Sequence, residues 1–157
     1  MNMLPHADGD ETPLVRVDFS DDAAWRLMRR ALATPSEDGF IAYLHIVEDP
    51  ACRDLAPARI AALSPARERP RDRLVIMADR TSLASPEMPL LALRVGEQGR
   101  FDTLRVVARQ LYSIENNLAL ANMAWEDFTE FADDDGVFRG FRSSTRQGRR
   151  AWSTSSP

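Results

Sequence analysis

Leu14-Val-Arg-Val-Asp-Phe-Ser-Asp-Asp-Ala-Ala-Trp-Arg-Leu-Met-Arg-Arg-Ala-Leu32 changes its hydrophobic period partway along, from that of a strand to that of a helix, and the change decides the fold class. From Leu14 to Phe19 the side chains alternate, Val15 and Val17 against Leu14 and Arg16, as on a pleated strand. Ser20 then stands where an N-cap belongs, and Asp21 and Asp22 complement the positive end of the helix that follows. In that helix Ala24, Leu27, Met28 and Ala31 form one face, flanked by Trp25 and Leu32, while Arg26, Arg29 and Arg30 fall on the wet side or toward the negative C-terminal end. Thr34-Pro-Ser-Glu-Asp-Gly39 is a stop signal.

Working outward, Phe40 to Val47 is the next strand, apolar on both faces except for His45, and therefore expected at the centre of a sheet. Asp54 to Leu63 is a weak helix with Pro57 in its first turn, and residues 65–72 form a solvated linker. Arg73 to Asp79 is a near-continuous apolar strand ending in a carboxylate, followed by an irregular connection over Thr81 to Pro89. Leu90 to Val95 and Phe101 to Ala108 make a hairpin around the glycine-bounded Gly96-Glu-Gln-Gly99. An asparagine-rich loop precedes a short helix over Trp125 to Ala132. The pattern predicts one α/β (α+β) domain: a mixed sheet of about five strands, parallel in its first half and antiparallel in its second, with about two or three helices over one or both faces. Residues 14–141 form that domain, residues 1–13 a flexible leader, and residues 142–157 a disordered Arg/Ser-rich tail.

Composition narrows the chemistry. All 20 basic residues are arginine, so there is no Schiff-base lysine, phosphate-loop lysine or lysine general base. Residues 139–157 hold five arginines and no acid, leaving the first 138 residues with 15 arginines against 24 acids, a balance of −9. Such an acidic body is not expected to bind nucleic acid. No apolar run approaches the ~20 residues of a membrane span, and the leader, with Asp8, Asp10 and Glu11, has no apolar signal-peptide core. A cytoplasmic protein without a membrane association is expected, and the single Cys52 agrees with it. Only His6 and His45 accompany that cysteine, so no zinc constellation exists by spacing. A Gly-x-Ser-x-Gly elbow and a nucleotide-binding glycine loop are also missing, and neither metal nor cofactor is expected.

The residues that remain candidates each have a structural and a functional reading. Asp18 and Asp79 stand near the carboxyl ends of strands, where open α/β sheets place ligands; Asp at a strand end also caps the next helix. Arg80, Thr81 and Ser82 add a cation and two hydroxyls beside Asp79. His45, expected in a buried strand, is read as a hydrogen-bonded core histidine. In Glu115-Asn-Asn117, Glu115 is the candidate acid or base, with Asn116, Asn117 and Asn122 orienting a substrate through their amides. Alternatively, those asparagines satisfy backbone groups in a loop packed on the sheet. Asp133-Asp-Asp-Gly136 lacks the spaced ligands of a calcium loop. Phe138 and Phe141 either close the core or anchor a partner, with Arg139 between them as a possible anion contact.

Val17-Asp-Phe-Ser-Asp-Asp-Ala-Ala-Trp25, Asp79-Arg-Thr81, Ser113-Ile-Glu-Asn-Asn-Leu-Ala-Leu-Ala-Asn-Met123 and Asp135-Gly-Val-Phe-Arg-Gly-Phe141 together resemble an uncharacterised family of small bacterial proteins, typical of actinobacteria. That family is a domain of unknown function marked by an ENNLxxANM segment ahead of a terminal DGVFRGF. The resemblance covers about residues 14–141 and implies that both C-terminal motifs are family features. It implies no activity, cofactor or catalytic residue. Two functions fit the sequence. The first is a non-enzymatic protein-binding or regulatory module, immunity-like, with another protein as partner and exposed acids around an aromatic anchor. The alternative is a small enzyme or ligand-binding domain for a polar small molecule. Its site would gather Glu115 or Asp79 as acid/base, Asn116 and Asn117 as orienting amides, and Arg80 or Arg139 for an anionic group.

Overall fold

The strand Leu74–Ala78 is buried along its whole length, with Leu74, Ile76 and Ala78 facing one apolar cluster and Val75 and Met77 another. The sheet grows outward from it in a computed structural model that describes residues 3–5, 11–65 and 74–141. In chain order the elements are β1 (Thr12–Arg16), α1 (Asp22–Ala33), β2 (Leu44–Val47), α2 (Pro57–Leu63), β3 (Leu74–Ala78), α3 (Arg80–Ala84), β4 (Pro89–Val95), β5 (Phe101–Val107), α4 (Leu111–Ala119), α5 (Trp125–Glu130) and β6 (Val137–Phe138). They form a six-stranded mixed sheet in the order β2-β1-β3-β4-β5-β6. β1 pairs in parallel with β2 and β3, β3 and β5 pair antiparallel with β4, and β6 lies parallel to β5. The mixed α/β class is thus as the sequence pattern predicts, and β2-β1-β3 is parallel and β3-β4-β5 antiparallel as expected; the sixth strand, β6, which the pattern did not show, is again parallel.

Each face of the sheet has its own core. On one, Trp25, Met28 and Leu32 of α1, Leu111 and Ile114 of α4, and Trp125 and Phe128 of α5 cover Leu14, Ile76, Leu90, Ala92 and Val106. On the other, Ile60, Ala61 and Leu63 of α2 cover Val15, Val75, Met77 and Leu93. Leu4, from the stretch read as a leader, is buried in this second core, and its N–H donates to the Leu63 carbonyl at 2.8 Å. Residues 1–2 and 6–10 of the leader, residues 66–73 and the tail over 142–157 lie outside the described residues. Among the described residues no helix is long and apolar enough to cross a membrane.

Several local expectations shift. β2 is an edge strand, not a central one, and the segment before Leu44 is not a strand at all. The apolar run of residues 40–47 looked two-sided because it joins a short strand to a loop that turns Phe40 and Tyr43 toward solvent. His45 is accordingly not buried; its side chain is 30% exposed, with Nδ1 3.4 Å from the Glu11 carboxylate. The α1 N-cap is Asp21, whose Oδ1 accepts from the Ala24 N–H at 3.0 Å, while the Ser20 N–H donates to Asp18. The buried stripe of α1 runs through Trp25, Met28 and Leu32, leaving Leu27 52% exposed. The connection after β3 contains α3, capped by Asp79 and Ser82. The asparagine block is helical, forming most of α4, because its polar side chains find partners that offset their low helix propensity.

Met28 and Leu27 differ in burial on the same helix, so Met28→Ala is expected to cost about 2–5 kcal/mol and Leu27→Ala less than ~0.5 kcal/mol. Urea denaturation midpoints of the two variants against wild type measure both.

Candidate functional site

Glu115 and Asn116 work as one clamp. On α4 the Glu115 side chain is 2% exposed as a residue, and a buried carboxylate must be hydrogen-bonded to be tolerated. Its Oε1 accepts from the Tyr43 backbone N–H at 3.1 Å, and its Oε2 accepts from Asn116 Nδ2 at 2.9 Å. The same Asn116 amide donates to the Ile41 carbonyl at 3.0 Å. Both backbone partners belong to the loop ahead of β2. Upstream, the loop is closed on itself by the Ser36 and Gly39 backbone bonds, with Gly39 at φ +85°, a left-handed geometry glycine adopts without strain. Held this way, Phe40 and Tyr43 stay 54% and 60% exposed, and Phe40 stacks on Tyr112 of α4, rings 6.3 Å apart and 7° from parallel. Asn117 is separate from the clamp: its Nδ2 donates to the Ser113 carbonyl one turn back at 2.8 Å. Asn122 is exposed just beyond α4, its backbone N–H donating to the Asn117 carbonyl.

Asp79 has a different partner from the one its neighbours suggest. Arg105 of β5 grips it with two bonds of 2.8 and 2.6 Å, while Ser82 donates backbone N–H and hydroxyl to its Oδ1. Burial pushes the carboxyl pKa up, but the hydrogen bonds from Arg105 and Ser82 outweigh it and hold it below the usual carboxylate range. Arg80 is exposed and takes no part. Nor do Asp79 and Glu115 converge. Tyr43 precedes Leu44, which pairs with Thr12 at the start of β1, whereas Asp79 follows Ala78, which pairs with Arg16 at its end. Those four steps along β1 separate the two backbone positions by roughly 13 Å. Asp18 closes a local turn through Ser20, and burial pushes the Cys52 thiol pKa up, away from a reactive thiolate. Among the described residues no group of three or more His, Cys, Asp or Glu side chains is arranged to hold a metal ion.

The terminal motif is built around Arg139. Its guanidinium has five N–H donors and all five are used: Nε and Nη2 on Glu87, Nη1 on Asp133 and Asp135, Nη2 on Asp135 as well. The hydrogen bonds from Arg139 hold the Asp135 and Glu87 carboxyls below their ordinary range, and the arginine is itself stabilised as a cation. No donor is left for an anionic ligand. Phe138 is fully buried, and Phe141 packs against it and against Phe128 and Phe131 with ring centroids 5.0–5.3 Å apart. These two aromatics close the core.

Sequence reasoning missed a second polar centre at the carboxyl ends of β1 and β2. Arg16, 2% exposed, donates to the Asp18 carbonyl at 2.9 Å, to Glu48 at 3.2 Å and to Asp22 at 2.7 Å, with its guanidinium 4.5 Å from the Phe19 ring centroid and 5.1 Å from that of Trp25. The Trp25 indole N–H donates to the other Glu48 oxygen at 2.9 Å. A groove of about 620 Å³ opens beside this network, walled by Arg26, Arg29 and Arg30 of α1. Alternation along β1 put Arg16 on a face with no sign that the face was buried; a strand arginine amid valines is the one signal the sequence offers.

A family model described as a domain of unknown function (DUF6924) matches residues 11–141, nearly the whole described fold. No curated protein and no solved structure matches the chain.

Asn116→Ala removes the donor for the Ile41 carbonyl and for Glu115, and is expected to cost about 1–3 kcal/mol, read as a lowered thermal melting temperature. Asp79→Asn is expected to destabilise at neutral pH. Because the folded pKa of Asp79 is depressed, its contribution is present above the unfolded carboxylate pKa of about 3.9 and is lost as pH falls through the folded value. The gap between wild type and Asp79→Asn in urea titrations therefore narrows as pH is lowered below about 4.

Proposed function

The chain belongs to the DUF6924 family, and from its geometry we propose that it is a non-enzymatic protein-binding module, a regulatory or immunity-like partner of another protein. One observation carries the proposal. Glu115 and Asn116 spend their hydrogen bonds on the backbone of Ile41 and Tyr43, and what that fixes in place is a pair of exposed aromatics, Phe40 and Tyr43. Burying a carboxylate to hold a loop is costly, and the two aromatics so presented leave more than half of their surface in solvent. Rigid aromatics already fixed in position are what protein interfaces use as anchors, since little ordering entropy remains to be lost on binding. Glu37 and Asp38, both exposed, flank Phe40 and supply an acidic rim.

The small-enzyme alternative draws no comparable support. Glu115, Asn116 and Asn117 are engaged with backbone, Asp79 with Arg105, and Arg139 with three carboxylates. Glu115 and its asparagines stand toward the start of β1, Asp79 toward its end.

Phe40→Asp/Tyr43→Asp is expected to keep the wild-type melting temperature, because both side chains are mostly solvated already, and to lose a protein that wild type captures from cells of the source organism. Captured sets that are the same for wild type and variant would sink the proposal. A large fall in melting temperature would show instead that the aromatics belong to the core.

A further inference from the structure

β2 is the last strand on its side of the sheet, and among the described residues nothing pairs with its outer edge. An open edge is a template for one more strand unless it is blocked by bulges, proline or charge. Within Leu44-His-Ile-Val47 there is no proline, and Leu44 and Ile46, packed against the α1-side core, remain half-exposed. Tyr43, one of the exposed aromatics, leads directly into this edge.

Charge provides the second observation. Glu48, the residue after β2, forms part of the wall of the groove that α1 borders, and that groove holds four arginines against two carboxylates, a balance of +2. Both carboxylates are already engaged, Glu48 by Arg16 and the Trp25 indole and Asp22 by Arg16. The guanidiniums of Arg26, Arg29 and Arg30, within one turn of each other on the exposed side of α1, make no hydrogen bond or salt bridge among the described residues, although Arg26 lies near enough to Asp22 to help hold its carboxyl below the usual range. These three cations stand together on a body whose first 138 residues carry −9. At physiological salt that overall charge is screened beyond about 8 Å, so a ligand in the groove responds to the arginines it touches.

We propose that the outer edge of β2 and the Arg26/Arg29/Arg30 row of α1 together receive an extended acidic segment of the partner protein, which adds to the sheet as a strand while its carboxylates meet the guanidiniums. The inference rests on the protein-binding reading above and names the chemistry of the partner. Main-chain bonds to the edge supply affinity that is indifferent to side chains, and the arginine row selects acidic sequences. Inorganic phosphate or a nucleic-acid backbone would use the arginines but not the strand edge.

A fluorescein-labelled peptide of alternating Glu and Val is the probe, with fluorescence anisotropy as the readout on the full chain. It is expected to bind at least about tenfold more tightly than its Lys/Val counterpart, and Arg26→Glu/Arg29→Glu/Arg30→Glu is expected to lose at least that factor. Methylating the peptide nitrogens of alternate residues tests the edge without altering the protein: one of the two alternating sets should abolish binding and the other leave it intact. Equal affinity for both peptides overturns the inference, as does indifference to both methylation patterns or displacement by inorganic phosphate at matched charge. Were no peptide to bind while Phe40→Asp/Tyr43→Asp still lost its captured protein, the acidic-strand inference would fail and the protein-binding reading would stand. Loss of both distinctions would end both.

Discussion

A buried guanidinium organises the parallel half of this fold. Arg16 sits at the end of β1 with almost no solvent contact, and a charge so placed costs several kcal/mol unless it is fully engaged. Its partners come from three directions: the carbonyl two residues on, the first turn of α1 through Asp22, and the end of β2 through Glu48. Phe19 and Trp25 present their rings to the same cation. Displacing α1 or the end of β2 would strand the charge, so the start of the helix, the end of the edge strand and the groove between them are set together.

Arg139 does for the antiparallel half what Arg16 does for the parallel one. It ties the turn after α5 to the loop before β4 through Asp133, Asp135 and Glu87, and Phe138 and Phe141 on either side of it enter the aromatic core. Arg105 joins β5 to the cap of α3 in the same manner. A chain whose cations are all arginine suits such junctions, because the planar guanidinium offers five donors in a fixed fork where an ammonium offers three on a flexible stem. The aromatics of the terminal motif pack in the core, and its arginine is engaged by three carboxylates within the protein.

The Glu115–Asn116 clamp is of another kind. It reaches across more than seventy residues of sequence to hold a loop that buries Ala42 while Phe40 and Tyr43 stay more than half exposed. Arg16 and Arg139 secure elements that bury apolar surface; the clamp secures Phe40 and Tyr43, which largely do not.

The local layers of the structure were legible in the chain. The change of period at Phe19–Asp22 marks a strand feeding a helix, the glycine-bounded turn marks the β4–β5 hairpin, and Pro57 marks the first turn of α2, because each depends on residues adjacent in sequence. The absence of lysine likewise restricted the possible chemistry from composition alone. Strand order was beyond reach: an apolar run reads the same at the centre of a sheet as at its edge when a loop lends it apolar neighbours, as Phe40 and Tyr43 did for β2. The partners of Arg16, Asp79, Glu115 and Arg139 were beyond reach as well. Every carboxylate in an acidic chain is an equally good partner for an arginine until backbone geometry brings one within 3 Å, and that choice is made by long-range pairing of strands and helices, to which local periodicity is blind.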